Sequence, residues 1–251
     1  MSQVRNNLIR PLTARSVVAS TLLGVNPPRL SAAALVASGE QFGVAAGTTR
    51  VALSRMVDNG ELVAVDASYE LAGALLERQA RQEQGRHPRM RPWTGDWRVA
   101  VVRAGTRTAR DRATLRSDLR RLRLAEVREG VWTRPDNLDP VTNDACTWIT
   151  GSFDDAVDVT HLFGLDEWAS AARVLLAELS ASAPQLAARN ADALGETFVI
   201  AAAAVRHLTL DPLLPRELVP VGWPGDDLRA AYDAYQLDFA ATWRDWYRGI
   251  R

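Results

Sequence analysis

Apolar and polar positions along the first eighty or so residues recur with a helical period and then switch to a strand-like one. Residues 12–23 carry apolar side chains at helical spacing, a stretch closed by Gly24 and broken by "NPPR" at 26–29. Ser31 has the character of an N-cap for a short second helix over 32–38, with Leu30 placed as its hydrophobic staple. After the turn "GEQFG" the pattern predicts a third helix over 45–57, stopped by "DNG". At 100° per residue, Ala45, Ala46, Thr49, Leu53, Met56 and Val57 share one face, which should be buried. The opposite face carries Gly47, Thr48, Arg50, Val51, Ser54 and Arg55. The period then shortens to two. "ELVAV" and "SYEL" predict strands joined by a turn at Asp66–Ala67.

Three short helices followed by a hairpin is the plan of a winged helix-turn-helix, and that plan gives the outer face of the third helix a meaning. Small, hydrogen-bonding and cationic side chains suit a DNA major groove. Arginine bonds guanine bidentately, threonine and serine reach base or phosphate, and a valine touches a thymine methyl. Thr48, Arg50, Val51, Ser54 and Arg55 are therefore the candidate DNA-binding residues. An amphipathic helix whose polar face is merely solvated is the competing reading.

Residues 75–84 continue as polar helix, and "RQEQGRHPRMRP" (81–92) reads as a basic linker. A different texture begins at Trp97. "WRVAVVR" is a β-run, and "TARDRATLRSDLRRLRL" is helical with Leu115, Leu119 and Leu122 at i, i+4 and i+7. "GVWTR" and "TWITGSF" are further β-runs, which makes a small α+β domain. From Asp166 onward the chain is helical, interrupted at 211–225 by "DPLLPRELVPVGWPG", whose four prolines forbid a continuous helix and suggest a brace between helices. Trp223, Trp243, Trp246 and Tyr247 read as core residues or as walls of a small-molecule pocket.

Composition adds little to the fold but shapes the partners. The 251 residues are 47% hydrophobic and 24% charged, which is ordinary for a globular chain long enough for two or three domains. No apolar run approaches the length of a membrane span, and "MSQVRNNLIRP" lacks the apolar core of a signal peptide. The single cysteine, Cys146, excludes an internal disulfide framework, so the expected address is a reducing cytoplasm. His87, His161 and His207 are scattered, so neither a metal site nor a cofactor is expected.

The net charge of zero conceals a basic middle and an acidic end. All 30 basic residues are arginine. Residues 86–128 hold 13 arginines against four acids, and residues 136–251 hold 18 acids against eight arginines. Such asymmetry points to modules with different partners, or modules that meet each other. Arg112, Arg116, Arg120 and Arg123 form a stripe on the central helix, read either as a solvated face or as a site for phosphate groups.

Three blocks together resemble the PaaX-type bacterial transcriptional regulators. They are "TTRVALSRMVDNGEL", "WRVAVVR" with "LRSDLRRLRLAEVREGVWTRP", and "AVRHLTLDPLLPRELVPVGWPG", in that order. The resemblance implies an α+β chain of three parts. A winged helix-turn-helix spans 1–84, a ferredoxin-like, Cas2-like domain spans 85–160, and a helical domain spans 161–251. It implies a homodimeric repressor of phenylacetate-type catabolism genes. Such a repressor leaves its double-stranded operator when an acyl-CoA thioester such as phenylacetyl-CoA binds. Arg50, Ser54 and Arg55 fall on the family's recognition-helix positions. On this reading the effector would use Arg112, Arg116, Arg120 and Arg123 together with the tryptophan-rich C-terminal helices.

Two departures from the family pattern matter. "VDAS" precedes Tyr69 where the family carries a basic run in the wing. Arg103 stands where the family's first central strand ends in an aspartate, and Gly105 where a proline follows it. A Cas2-like nuclease needs a carboxylate at that strand end to hold a divalent cation, and an arginine repels one. The expectation is therefore a regulator and not an enzyme. A diverged DNA-binding module with another effector or none is the alternative, and a nuclease ranks last.

Overall fold

Thr13 opens the first helix, α1 (Ala14–Leu23), by a reciprocal capping pair with Ser16: the Thr13 hydroxyl accepts from the Ser16 amide, and the Ser16 hydroxyl accepts from the Thr13 amide. The computed structural model describes residues 13–105 and 107–249. Leu12, expected to begin this helix, lies outside the described residues.

Arg29–Ser31 forms a short strand, β1, that the periodicity does not announce. Ser31 then caps α2 (Ala32–Gln41) by accepting from the Ala34 amide, as anticipated, though the helix runs three residues beyond Ser38. The third helix, α3 (Ala46–Asp58), buries Thr49, Leu53 and Met56. Ala45 was expected on the buried face but is exposed, because it stands before the first helical turn. β2 (Leu62–Val65) and β3 (Ser68–Leu71) are joined through Asp66 and Ala67 at φ 45° and 58°, the two left-handed residues that a tight hairpin turn requires. β1 adds to the far side of β3, so the sheet order is β1-β3-β2, all antiparallel. Val18, Leu22, Leu35, Leu53, Met56, Leu62 and Leu71 close the core beneath the helices and hairpin.

α2 and α3 approach closely. A Cβ on Gly39 would lie 2.2 Å from the Thr49 hydroxyl oxygen, so no larger residue fits there without displacing the Thr49 side chain.

One ion pair fastens α1 to the entry of the hairpin. Arg15 donates to the Glu61 carboxylate, and that bond holds the Glu61 carboxyl below its usual range. A lowered folded-state value contributes stability above the ordinary glutamate range and loses it as the pH falls through the folded value. Arg15→Ala should therefore remove a small, solvent-screened stability that is fully present near neutrality and that in the wild type fades as the pH falls through the folded value, moving acid unfolding, followed by far-UV circular dichroism, to higher pH. An unchanged acid midpoint would show that the pair carries no linkage.

The fourth helix, α4 (Gly73–Arg86), runs into the stretch expected to be linker. Its end is buried: a Cβ on Gly85 would meet the Leu208 carbonyl at 2.7 Å, and the Gly85 carbonyl accepts from Arg229 at 3.0 Å. Arg86 adds a 2.7 Å ion pair to Asp233. These contacts explain why the helix continues through residues 81–86: Gln82, Gly85 and Arg86 are packed while Glu83 and Gln84 face solvent.

The chain divides into two compact units, residues 1–87, 171–210 and 224–251 in one and residues 88–170 and 211–223 in the other. The first thus contains the winged helix-turn-helix with α8 (Leu194–Leu208), α9 (Gly225–Gly249) and most of α7 (Leu165–Ala187). α8 is buried nearly all round, through Phe198, Ile200, Ala201, Ala204 and Leu208 among others. Tyr235 of α9 shares a 2.8 Å hydrogen bond with Ser182 of α7.

The second unit is built on a four-stranded antiparallel sheet of β4 (Trp97–Val102), β5 (Ala125–Arg128), β6 (Val131–Pro135) and β7 (Cys146–Gly151), in the order β5-β6-β4-β7. That is the strand order of a ferredoxin-like sheet, with α5 (Ala109–Arg121) as the crossover between β4 and β5. Ala100 is paired with Trp132 on one side and Trp148 on the other, so a small residue on the central strand makes room for two indoles. Leu119 of α5, Leu124 and Cys146 complete this core. A short helix, α6 (Val159–Phe163), follows the sheet.

The proline-rich segment belongs to this second unit. Asn137 donates to the Leu213 carbonyl at 2.8 Å, Arg123 donates to the Asp211 carbonyl, and Trp223 stacks on Trp168 with ring centroids 4.6 Å apart. A brace between helices was the expectation. Two carbonyls of this non-helical segment, those of Asp211 and Leu213, accept from Arg123 and Asn137 of the central domain, and Trp223 packs on Trp168 of α7.

Candidate nucleic-acid interface

α3 places Gly47, Thr48, Arg50, Val51, Ser54 and Arg55 on its outer face, and all six are exposed. The cause is local. Thr49, Leu53 and Met56 recur at helical spacing and sink into the core, which turns the intervening positions outward. Among the described residues neither Arg50 nor Arg55 pairs with a carboxylate. Val51, 51% exposed, leaves a branched apolar side chain in water between the two arginines in sequence.

The wing is short and its turn is acidic: Asp66 is almost fully exposed. β1 sets an arginine beside this acidic turn and its strand. Arg29 lies 3.8 Å from the Asp66 carboxylate, 3.2 Å from that of Glu70, and 3.4 Å from the Val65 carbonyl. Sequence reasoning passed over Arg29 because a strand of three residues has no readable period; "RLS" between two prolines and an N-cap was its only trace.

Three family models match consecutive stretches of the chain: a PaaX-like protein model at residues 13–75, the PaaX protein central Cas2-like domain at 90–159, and the PaaX-like protein C-terminal domain at 163–247. The chain belongs to the PaaX family. Among solved structures, the uncharacterized protein Rv0674 from Mycobacterium tuberculosis is 39% identical. The match covers 93% of this chain and 98% of that one, with a TM-score of 0.74. None of the curated proteins compared matches the chain.

In this PaaX chain the central arginines do not form one continuous stripe. α5 ends at Arg121, and Arg123 turns back at φ 64° and is buried. Arg112 donates to the Arg107 carbonyl at 2.7 Å, Arg116 pairs with Glu126, and Arg120 lies 5.9 Å from the centroid of the Trp132 ring. The helical period placed Arg123 with its neighbours only on the assumption that the helix continued. Arg134 was not singled out, yet it is almost wholly buried on β6 and donates to the Asp139 carbonyl at 2.9 Å. Burial pushes its guanidinium down to about 10, still protonated at neutral pH.

The end of the first central strand carries Arg103, exposed, with its Nε 3.4 Å from the Thr147 hydroxyl. Among the described residues no group of three or more His, Cys, Asp or Glu side chains converges. Cys146 is buried, and burial raises its thiol above the usual value. No described helix is long and apolar enough to cross a membrane.

Proposed function

We propose that this PaaX-family chain is a DNA-binding transcriptional regulator. It acts as a homodimeric repressor that holds operator DNA through α3 and leaves it when a small effector binds. Family membership supports an effector of the acyl-CoA thioester class, phenylacetyl-CoA being the type compound, and genes of aromatic-acid breakdown as targets. The observation that carries the reading is the outer face of α3: two arginines without carboxylate partners among the described residues, beside exposed Thr48, Val51 and Ser54. A buried arginine would be spent on the fold; these are available to a groove. One winged helix reads few bases, so two copies reading half-sites about one helical turn apart supply the specificity. The effector acts by binding the DNA-incompetent arrangement more tightly and shifting the population toward it.

The test uses a duplex selected by the wild-type protein from a random pool. Arg50→Ala should cost about 1–3 kcal/mol of affinity and relax preference at one base position. Arg55→Ala should instead weaken all sequences alike and flatten the salt dependence, as loss of a phosphate contact does. Unchanged affinity in Arg50→Ala, measured by fluorescence anisotropy, would remove α3 from the interface.

A further inference from the structure

The unit that contains the winged helix-turn-helix also holds a partly open cavity of about 330 Å³. Its walls come from α1 and the turn after it, from α4, and from α8 and α9. One side is aromatic: Phe42, Phe198, Phe239 and Trp243 line it, with Phe42 stacked on Phe198 at 4.5 Å and Phe198 against Phe239 at 5.8 Å. Ala201 and Ala202 of α8 leave the space that larger side chains would occupy. A cavity of about 150 Å³ is enough to take benzene, so this one admits an aryl group with a short side chain. A whole CoA ester would have to leave its nucleotide outside.

The polar lining is one-sided in charge. Arg78 and Arg244 reach the cavity, and no Asp or Glu lines it. Arg78 is half-buried, with no hydrogen bond or ion pair to another described residue. Desolvation lowers its guanidinium from the usual value, and the nearby Arg15 and Arg81 charges add to that. Arg15 and Arg81 have carboxylates of their own, Glu61 and Glu77. One turn along α4 from Arg78, Gln82 is only 8% exposed and makes no hydrogen bond to another described residue. Its carboxamide lines the cavity with its hydrogen-bonding capacity unused by any described residue, so a polar group of a ligand can take it up. Tyr232 adds no negative charge to the site, since burial raises its phenol to about 12.

We propose that this cavity is the effector site. It takes a small apolar acyl group, aryl or branched alkyl, against Phe198, Phe239 and Trp243, and holds an adjoining anionic group at Arg78 and Gln82. The anion is the carboxylate of a free acid or a phosphate of a thioester. This placement rests on the regulator reading above, and it differs from a site on Arg112, Arg116, Arg120 and Arg123, which are engaged within their own unit. It also gives a route to DNA. The cavity is walled by Leu23, Gly24 and Val25, and α1 packs through Val18 and Leu22 on the core that includes Leu53 and Met56 of α3. An occupant that presses on the end of α1 presses on the helix that presents Arg50.

The experiment separates ligand binding from DNA binding. Phenylacetate, phenylacetyl-CoA and free CoA are titrated into the full-length protein without DNA, followed by calorimetry and thermal shift. Saturable binding of the acid or the thioester, but not of CoA, is expected. Arg78→Gln and Gln82→Leu should each weaken it about tenfold or more, and Ala202→Phe should abolish it by filling the space. Binding of the free acid assigns the anion to a carboxylate; binding of the thioester alone assigns it to phosphate. The cavity site is refuted if neither compound binds, or if binding survives unchanged in Ala202→Phe and Arg78→Gln with wild-type melting temperatures. Anisotropy with operator DNA is read separately. Ligand binding with no DNA binding by any variant would overturn the regulator reading while leaving the site in place.

Discussion

Trp132→Ala should lower the unfolding free energy by about 3–5 kcal/mol, the largest loss expected from one truncation in the ferredoxin-like sheet. Trp132 is 1% exposed and lies across from Ala100, with Leu119, Leu124 and Cys146 around it. Because Ala100 is small by design of the pair, nothing on the central strand can move in to fill the space. The Arg120 guanidinium over the indole would also lose its ring, a contact worth about 0.5–1 kcal/mol at a partly exposed site. Urea unfolding followed by circular dichroism measures the change. A loss under 1 kcal/mol, the size of a surface substitution, would mean that the indole is not the centre of that core. Trp132→Phe, which keeps the ring, should recover most of the stability.

Leu53→Ala is the second large effect, about 2–5 kcal/mol, and it joins stability to function. Leu53 is 1% exposed on the inner face of α3, packed with Val18, Leu22, Leu35, Met56 and Leu62. Its removal loosens the helix that presents Arg50 without touching any side chain on the outer face, so on the proposed function operator affinity should fall together with stability. Val51→Ala on the outer face gives the contrast. Stability there should stay within about 0.5 kcal/mol, while any preference for thymine at one position should weaken. If Leu53→Ala bound DNA normally while destabilised as expected, the link between the core and the presentation of α3 would fail.

Recognition of the winged helix from residues 32–71 worked because every signal there is local. Ser31 caps within three residues, the period of α3 needs only its own thirteen positions, and the Asp66–Ala67 turn brings together strands adjacent in sequence. The strand order of the central sheet was legible only through family resemblance, since β5 ("AEVR") is a short, polar strand with little period of its own. α5 was readable; where it stopped was not. Arg123 stands beyond the helix end at φ 64°, its guanidinium bonded to the carbonyl of Asp211, 88 residues away in sequence, a contact that no local signal announces.

The cavity shows the same limit more sharply. Arg78 and Gln82 read as ordinary polar positions on an ordinary polar helix, and Phe42 and Phe198 as separate apolar residues; of the aromatic wall only Trp243 reads as a core residue or a pocket wall. Only the meeting of α1, α4, α8 and α9 around one cavity turns them into an aromatic wall with a carboxamide and a cation beside it. The amino-acid sequence by itself determined which side of α3 faces water, because helical periodicity and hydrophobic burial act within a few residues. The tertiary structure alone decided which polar groups are left buried without partners, because that depends on what distant segments bring to them.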